Sequence, residues 1–252
     1  MIRGRGEQFL PPDIAFFLDF DGTLVEIAEH PDAVVLQSST RLALGRLDTV
    51  LEGAIAIVSG REIEDIDRLL APLRLPVAGI HGSVRRSVSG TISRTLPAVP
   101  FVDTVAERLA CLVGSSEGLV LERKSVSVAL HYRARPELAA TCHLAMERAI
   151  EGLEGVEVLG GRMVVEARCA GADKGSAIRA FLAEPPFAGR LPVFAGDDVT
   201  DEDAFAAVNL LGGISIKIGE EPSVAAHRFA ATANFLDWLD ALAGSWCLKE
   251  SS

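Results

Sequence analysis

Two aspartates separated by one residue and followed by glycine and a hydroxyl form the run Asp19-Phe20-Asp21-Gly22-Thr23-Leu24. The preceding segment, Ile14-Ala15-Phe16-Phe17-Leu18, is apolar throughout, as strands covered on both faces are. Both aspartates are therefore expected just past a strand end, where open α/β sheets bind ligands. A carboxylate there can attack phosphorus and form an aspartyl-phosphate, dividing one difficult displacement into two easier ones. A second carboxyl can protonate the leaving alkoxide and later deprotonate the attacking water. Gly22 permits a tight turn, so that amides and the Thr23 hydroxyl approach phosphate oxygens. A plain Asp-Gly turn would explain Asp21-Gly22 but not Asp19 and Thr23 as well.

A second acidic run, Gly196-Asp197-Asp198-Val199-Thr200-Asp201-Glu202-Asp203, follows the apolar segment Leu191 to Ala195. Thr200 is expected to cap the next helix, with Asp203 completing a capping box. That leaves Asp197-Asp198 unexplained at a strand tip. Oxygen ligands from two strand ends suit octahedral Mg²⁺. Two like charges 4 Å apart repel by about 4 kcal/mol at an effective dielectric near 20, so Asp19, Asp197 and a phosphate dianion need cations beside them. Lys174, in Gly171-Ala172-Asp173-Lys174-Gly175, opens a helix, where positive charge is poorly placed. A phosphate-holding role would account for it. Ser59-Gly60-Arg61 follows Ala54 to Val58 and has two readings, a grip on phosphate or a helix cap for Glu62 to Leu70.

Strands and crossover helices must place these tips. Val77 to Ile80 and Ile214 to Ile218 are further buried-strand candidates, and amphipathic helices lie between the strands. Ser38 or Ser39 can cap a helix reaching Leu51, and Asn234 can cap Phe235 to Ala243 with Gly244 ending it. Val84 to Thr95 reads as a hairpin around Ser89-Gly90. From Val102 to Glu166 the pattern changes. Leu119 to Glu122, Val126 to His131, Val156 to Leu159 and Met163 to Glu166 look like a smaller sheet, with one helix entered by Pro136 and running towards Ile150. Pro97, Pro100 and Ala170-Gly171 are expected hinges. The expected architecture is α/β: a Rossmann-like parallel-sheet core in two parts, 1–101 and 169–252, interrupted by an α+β cap over 102–168.

Bulk properties narrow the partners. Apolar residues at 49% supply a core, while a net charge of −11 disfavours nucleic acid. Four cysteines, widely spaced and without a Cys-x-x-Cys pair, read as reduced thiols rather than zinc ligands or disulfides. Met1 to Gln8 lacks the apolar stretch of a signal peptide, and no run approaches the ~20 residues of a membrane span. A soluble, cytoplasmic monomer with no membrane partner is the expectation.

Taken in order, these elements resemble the haloacid-dehalogenase superfamily of phosphotransferases, and within it the bacterial trehalose-6-phosphate phosphatases. The resemblance is carried by Asp19 to Leu24, Ser59-Gly60-Arg61, Ala78-Gly79-Ile80-His81-Gly82, Glu122-Arg123-Lys124 with Ala129-Leu130-His131-Tyr132-Arg133, Val164-Val165-Glu166, Lys174-Gly175, Gly196 to Glu202, and Gly213 to Gly219. It implies Asp19 as nucleophile and Asp21 as general acid/base. It implies Mg²⁺ on Asp19, Asp197 and the Asp21 carbonyl, with Asp198 and Asp201 holding that site. Gly22, Thr23, Ser59, Gly60 and Lys174 would bind phosphate; Arg61, His81, Glu122, Lys124, Arg133 and Glu166 would contact the sugar. Two departures stand out: Val25-Glu26-Ile27 follows the first motif where members often carry proline, and Arg168-Cys169 stands where a basic residue and proline are usual. Hydrolysis of trehalose 6-phosphate is the implied activity. Another sugar phosphatase, a phosphosugar mutase and a catalytically silent phosphosugar sensor are alternatives. Arg123, Lys124, Arg133 and Arg135 read equally well as an exposed charged strand face.

Overall fold

The computed structural model describes residues 10, 13–27, 34–94, 101–124, 126–161 and 163–249; Met1 to Gln8, Thr95, Pro97 and Pro100 lie outside them. The chain divides into two compact units, Arg94–Ala172 and the flanking Met1–Ser93 with Asp173–Ser252.

The larger unit opens with β1 (Ile14–Leu18), α1 (Ser38–Val50), β2 (Ile55–Val58), α2 (Ile63–Leu70), β3 (Val77–Gly79) and the hairpin β4 (Val84–Arg86) and β5 (Ile92–Arg94). The smaller unit holds α3 (Phe101–Ser115), β6 (Val120–Arg123), β7 (Ser127–His131), α4 (Ala139–Ile150), β8 (Val156–Gly161) and β9 (Val164–Cys169). The chain then returns through α5 (Lys174–Leu182), β10 (Leu191–Gly196), α6 (Glu202–Leu210), β11 (Ile214–Ile218), β12 (His227–Phe229) and α7 (Thr232–Lys249).

The large sheet runs β12-β11-β10-β1-β2-β3-β4-β5, parallel from β12 to β3 and antiparallel at β3–β4. Every residue of β1 and β2 is buried, which is why these strands read as unbroken apolar runs. The decisive feature is that β1 lies between β2 and β10. The chain builds the sheet outward from β1 on one side, then comes back through β10 to build the other. This creates a topological switch point at the carboxyl end of β1.

In the smaller unit the sheet order is β6-β7-β9-β8, all antiparallel. Side chains alternate between its faces. Val128, Leu130, Val165 and Ala167 point into a core with Phe101, Val105 and Leu109 of α3 and Cys142, Met146 and Ala149 of α4. The other face carries Glu122, Ser127, Glu166 and Arg168; Glu122 pairs across to Ala129 and Ala129 to Glu166, so both glutamates share that side.

Four local expectations are corrected. Two helices serve this sheet rather than one: α3 buries Phe101, Val105 and Leu109, spaced four apart along one helical stripe. Helix α1 is capped at Gln37, with no side-chain cap bond, and Ser38 is already its first residue. Helix α7 starts at Thr232, not after Asn234, and continues through Gly244. Phe235, Trp238, Leu239, Leu242 and Trp246 are buried on its inner stripe. Burying such side chains contributes about 1.5–3 kcal/mol each, which outweighs the ~1 kcal/mol penalty of an interior glycine. Finally, β3 ends at Gly79, because Ile80 (φ 48°) and His81 (φ 52°) turn into the left-handed region. No helix among the described residues is long and apolar enough to cross a membrane.

Candidate active site

Asp19, Ser59 and Asp197 leave the carboxyl ends of three neighbouring strands, β1, β2 and β10. The Asp19 amide donates to the Ala195 carbonyl at 2.9 Å, locking the tips of β1 and β10 together. Beyond it the chain folds back: the Leu24 amide donates to the Phe20 carbonyl and the Gly22 amide to the Val25 carbonyl. Gly22 has φ 79°, and a Cβ added there would lie 2.0 Å from Oδ2 of Asp197. Glycine is thus required for the turn and also for the close approach of the second acidic tip. Gly196 makes room in the same way, since a Cβ on it would meet Cγ of Asp201 at 2.4 Å.

Lys174 occupies the centre. Its ammonium donates to Oδ1 of Asp19 at 2.7 Å and to Oδ1 of Asp201 at 2.5 Å. All three side chains are buried. Lys174 is the first residue of α5, capped by Asp173, whose carboxylate accepts from the Ser176 amide. The unfavourable end of the helix dipole is offset by the paired carboxylates. Burial on its own would depress the lysine pKa, but Asp19 and Asp201 outweigh it and drive the pKa upward.

Oδ2 of Asp201 accepts from the amides of Asp197 and Asp198, both at 2.9 Å. The helical turn after β10 is therefore capped at Asp198 with Asp201 as its third residue, replacing the expected Thr200–Asp203 box. Both Asp201 oxygens are committed to protein donors. Thr23 donates to Oδ2 of Asp19 over 3.4 Å, a long contact.

The electrostatics are lopsided. Burial raises the Asp19 pKa well above the usual carboxylate range, Lys174 opposes this, and Asp201 and Asp197 add to it. Asp197 is pushed up to about 7 by burial and then by Asp201 and Asp198, against Lys174 and Lys217. Carboxylate oxygens of Asp19, Asp197 and Asp201 lie within 4.8 Å of one another. An all-oxygen cluster with surplus negative charge fits a hard divalent cation such as Mg²⁺.

At the β2 tip, Ser59 is fully buried and its hydroxyl accepts from the Arg61 amide at 3.2 Å. It does not cap α2, whose cap position is Glu62. Arg61 forks onto Asp21, with Nε to Oδ2 at 2.6 Å and Nη2 to Oδ1 at 2.7 Å. The His81 ring lies against Gly60, where an added Cβ would sit 2.6 Å from the imidazole. The left-handed Ile80 and His81 are tied by their amides to the carbonyls of Arg61 and Ser59, at 3.0 and 2.9 Å. Such conformations cost of order 1–3 kcal/mol each and persist only where surroundings enforce them, most often at functional sites.

The larger unit thus brings Asp19, Asp21, Gly22, Thr23, Ser59, Gly60, Arg61, His81, Lys174, Asp197, Asp198 and Asp201 to the strand ends around its switch point. In the smaller unit, Glu166 accepts from the Ser127 hydroxyl at 2.5 Å and pairs with Lys124 at 3.3 Å. Glu122 bonds Nε2 of His131 at 2.8 Å. Arg133 lies two residues beyond β7 and is exposed. Sequence reasoning missed the supporting roles of Ser127 and His131, although strict alternation along β7 places both on the face of Glu122. It also missed Lys217, whose ammonium donates to the Asp197 carbonyl, and Thr232, whose hydroxyl donates to the Gly22 carbonyl at 2.6 Å. The latter contact spans 210 positions and leaves no local signal.

The His131 bond is the main reason that the Glu122 carboxyl is held below its usual pKa; burial opposes it, and Lys124 adds to the lowering. A depressed carboxyl favours folding above its unfolded pKa, and that contribution is lost as pH falls through the folded value. In His131→Ala, the Glu122 carboxyl carbon is expected to titrate at higher pH by NMR. An unchanged midpoint would show that the hydrogen bond does not set it.

Residues 17–234 match the family model described as trehalose-phosphatase. The trehalose-6-phosphate phosphatase of Escherichia coli (strain K12) is 39% identical over 226 residues, covering 90% of this chain and 85% of that protein. The probable trehalose-phosphate phosphatase of Sinorhizobium fredii (strain NBRC 101917 / NGR234) is 43% identical over 221 residues, 85% of this chain and 83% of its own. A solved structure described as a trehalose-6-phosphate phosphatase related protein superposes with a TM-score of 0.74 at 28% identity, over 93% of this chain and 99% of that one.

Proposed function

Given that the chain belongs to the trehalose-phosphatase family, with the α/β fold of haloacid-dehalogenase phosphatases, and is a phosphoric monoester hydrolase, we propose that it converts trehalose 6-phosphate to trehalose and inorganic phosphate through an aspartyl-phosphate on Asp19. The observation that carries the mechanism is a buried Asp19 at a strand tip with the Lys174 ammonium 2.7 Å from one oxygen.

In the first half-reaction a carboxylate oxygen of Asp19 forms a bond to phosphorus as the bond to the sugar oxygen breaks. Asp21 gives its proton to that departing oxygen. In the second, Asp21 takes a proton from water as the water oxygen attacks phosphorus, and the P–O bond to Asp19 breaks. Phosphate leaves and both carboxyls are restored. Lys174 holds Asp19 in place and offsets charge on the phosphoryl oxygens. The Thr23 and Ser59 hydroxyls and the Gly60 backbone bind those oxygens, while Gly22, whose amide is spent on the Val25 carbonyl rather than on phosphate, shapes the turn that brings them close. Asp19, Asp197 and the Asp21 carbonyl would hold Mg²⁺, with Asp198 and Asp201 setting the tip that presents Asp197. When bound, Mg²⁺ supplies positive charge to neutralise the phosphoryl group. Glu122, Lys124, Glu166, Arg133 and His81 would meet sugar hydroxyls, where bonds to charged groups contribute roughly 1.5–3 kcal/mol each.

Phosphate release from a panel of sugar phosphates, with and without chelator, tests this reading. Trehalose 6-phosphate is expected to give the highest kcat/KM, and EDTA is expected to reduce the rate by at least about 10²-fold, reversibly on adding Mg²⁺. Preference for another sugar phosphate would overturn the substrate. Phosphate passed to a second sugar position would identify a mutase, and tight binding without turnover a sensor.

A further inference from the structure

The sequence places Arg61 among the residues that grip the sugar, yet its guanidinium is committed elsewhere. Both oxygens of Asp21 are taken by one planar fork, at 2.6 and 2.7 Å. The guanidinium also stacks over Phe20, with its carbon 5.8 Å from the ring centroid, so it is braced on the residue between the two aspartates. Its side chain is 13% exposed, against 39% for Asp21. The backbone of Arg61 is fixed as firmly: its amide donates to the Ser59 hydroxyl, and its carbonyl accepts from the strained Ile80. A side chain meant to close on hydroxyls would not be anchored at both ends to the catalytic loops.

We propose that Arg61 is a positioning residue that acts on the reaction through Asp21. The fork fixes the torsions of the Asp21 side chain; each oxygen accepts one N–H and keeps a second lone pair, and it is there that the proton given to the leaving oxygen, and later taken from water, resides. A bidentate guanidinium fixes the carboxylate plane, which a lysine ammonium cannot do. The left-handed turn at Ile80 and His81 is part of the device, because it ties down the main chain from which the fork projects. The inference rests on the reading of Asp21 as the acid/base.

Steady-state kinetics with two leaving groups tests it. For Arg61→Met, kcat on trehalose 6-phosphate is expected to fall about 10²-fold with KM changed less than about threefold, since general acid catalysis contributes 10²–10⁴-fold. On p-nitrophenyl phosphate, whose phenolate leaves without a proton, aspartyl-phosphate formation followed by the nitrophenolate burst is expected to slow less than about fivefold. Arg61→Lys, which keeps the charge but not the fork, is expected to recover less than half of the lost rate. In an Asp21→Asn background, Arg61→Met is expected to add less than about a twofold further loss, because its partner is already disabled. A rise in KM with kcat preserved, equal losses on both leaving groups, full rescue by lysine, or additive losses in the double variant would overturn the proposal. An Asp21→Asn enzyme of undiminished rate would instead sink the acid/base reading itself. Thermal melts of each variant confirm that folded protein is being compared.

Discussion

Asp19→Asn is expected to lower turnover of trehalose 6-phosphate by at least about 10⁴-fold, a loss of roughly 5–6 kcal/mol of transition-state stabilisation, while leaving the protein folded. An amide has nearly the shape of the carboxylate but is a far weaker nucleophile. It also lacks the negative charge that Lys174, 2.7 Å away, is placed to meet. The fold is expected to survive because the substitution removes one of several crowded negative charges: Asp201 and Asp197 both oppose ionisation of Asp19. Losing the charge opposite Lys174 works the other way, but the asparagine oxygen can still accept from that ammonium and Asp201 remains paired with it at 2.5 Å. Two measurements check this outcome. Phosphate release gives the rate, and acid quenching after exposure to radiolabelled substrate reveals a covalent phosphoenzyme in the parent that the variant lacks. Turnover within about tenfold of the parent would remove Asp19 from the nucleophile's role.

The second large effect is on stability. Lys174→Met is expected to destabilise the fold by about 3–5 kcal/mol, because breaking a buried ion pair from one side strands its partners. Those partners are Asp19 and Asp201, both nearly inaccessible to water. In a domain of this size, that corresponds to a fall in Tm of roughly 6–20 °C. Asp19 also gives the loss a pH signature. Its pKa is already raised by burial, and Lys174 is the principal group holding it down. Without the lysine, the folded pKa rises further above the unfolded value. The penalty is then smallest below the unfolded pKa and grows as pH rises through the folded one. Adding Asp201→Asn is expected to recover part of the loss, since one stranded charge is gone. Melting curves across pH decide the matter: a Lys174→Met protein as stable as the parent at neutral pH would mean that the ammonium does not hold the site together.

The first acidic motif was legible because everything it needs is local. An apolar run of five residues ends in Asp19-Phe20-Asp21-Gly22-Thr23, and side-chain period and turn chemistry place both carboxyls past a strand end. Helix ends were read less well. Ser38 and Asn234 are good caps by type, but packing set the true starts, and the inner stripe of α7 carried the helix through Gly244. The capping box after β10 was displaced for a similar reason. Asp201 is drawn into the first turn by the amides of Asp197 and Asp198 and by the ammonium of a distant lysine.

The amino-acid order by itself determined which residues could do phosphoryl chemistry, which segments would be strands apart from the short edge strand β12, and that two kinds of sheet would be present. Those are properties of windows of five to ten residues, fixed by hydrophobic period and turn propensity. Only the tertiary structure decided that β1 and β10 are neighbours, that Lys174 bridges Asp19 and Asp201, and that Arg61 seizes Asp21. It also decided that Gly22 must lack a side chain so that Asp197 can approach. Strand order and long-range side-chain pairing are settled by burying whole elements together, and a local stretch of sequence carries no record of its partner.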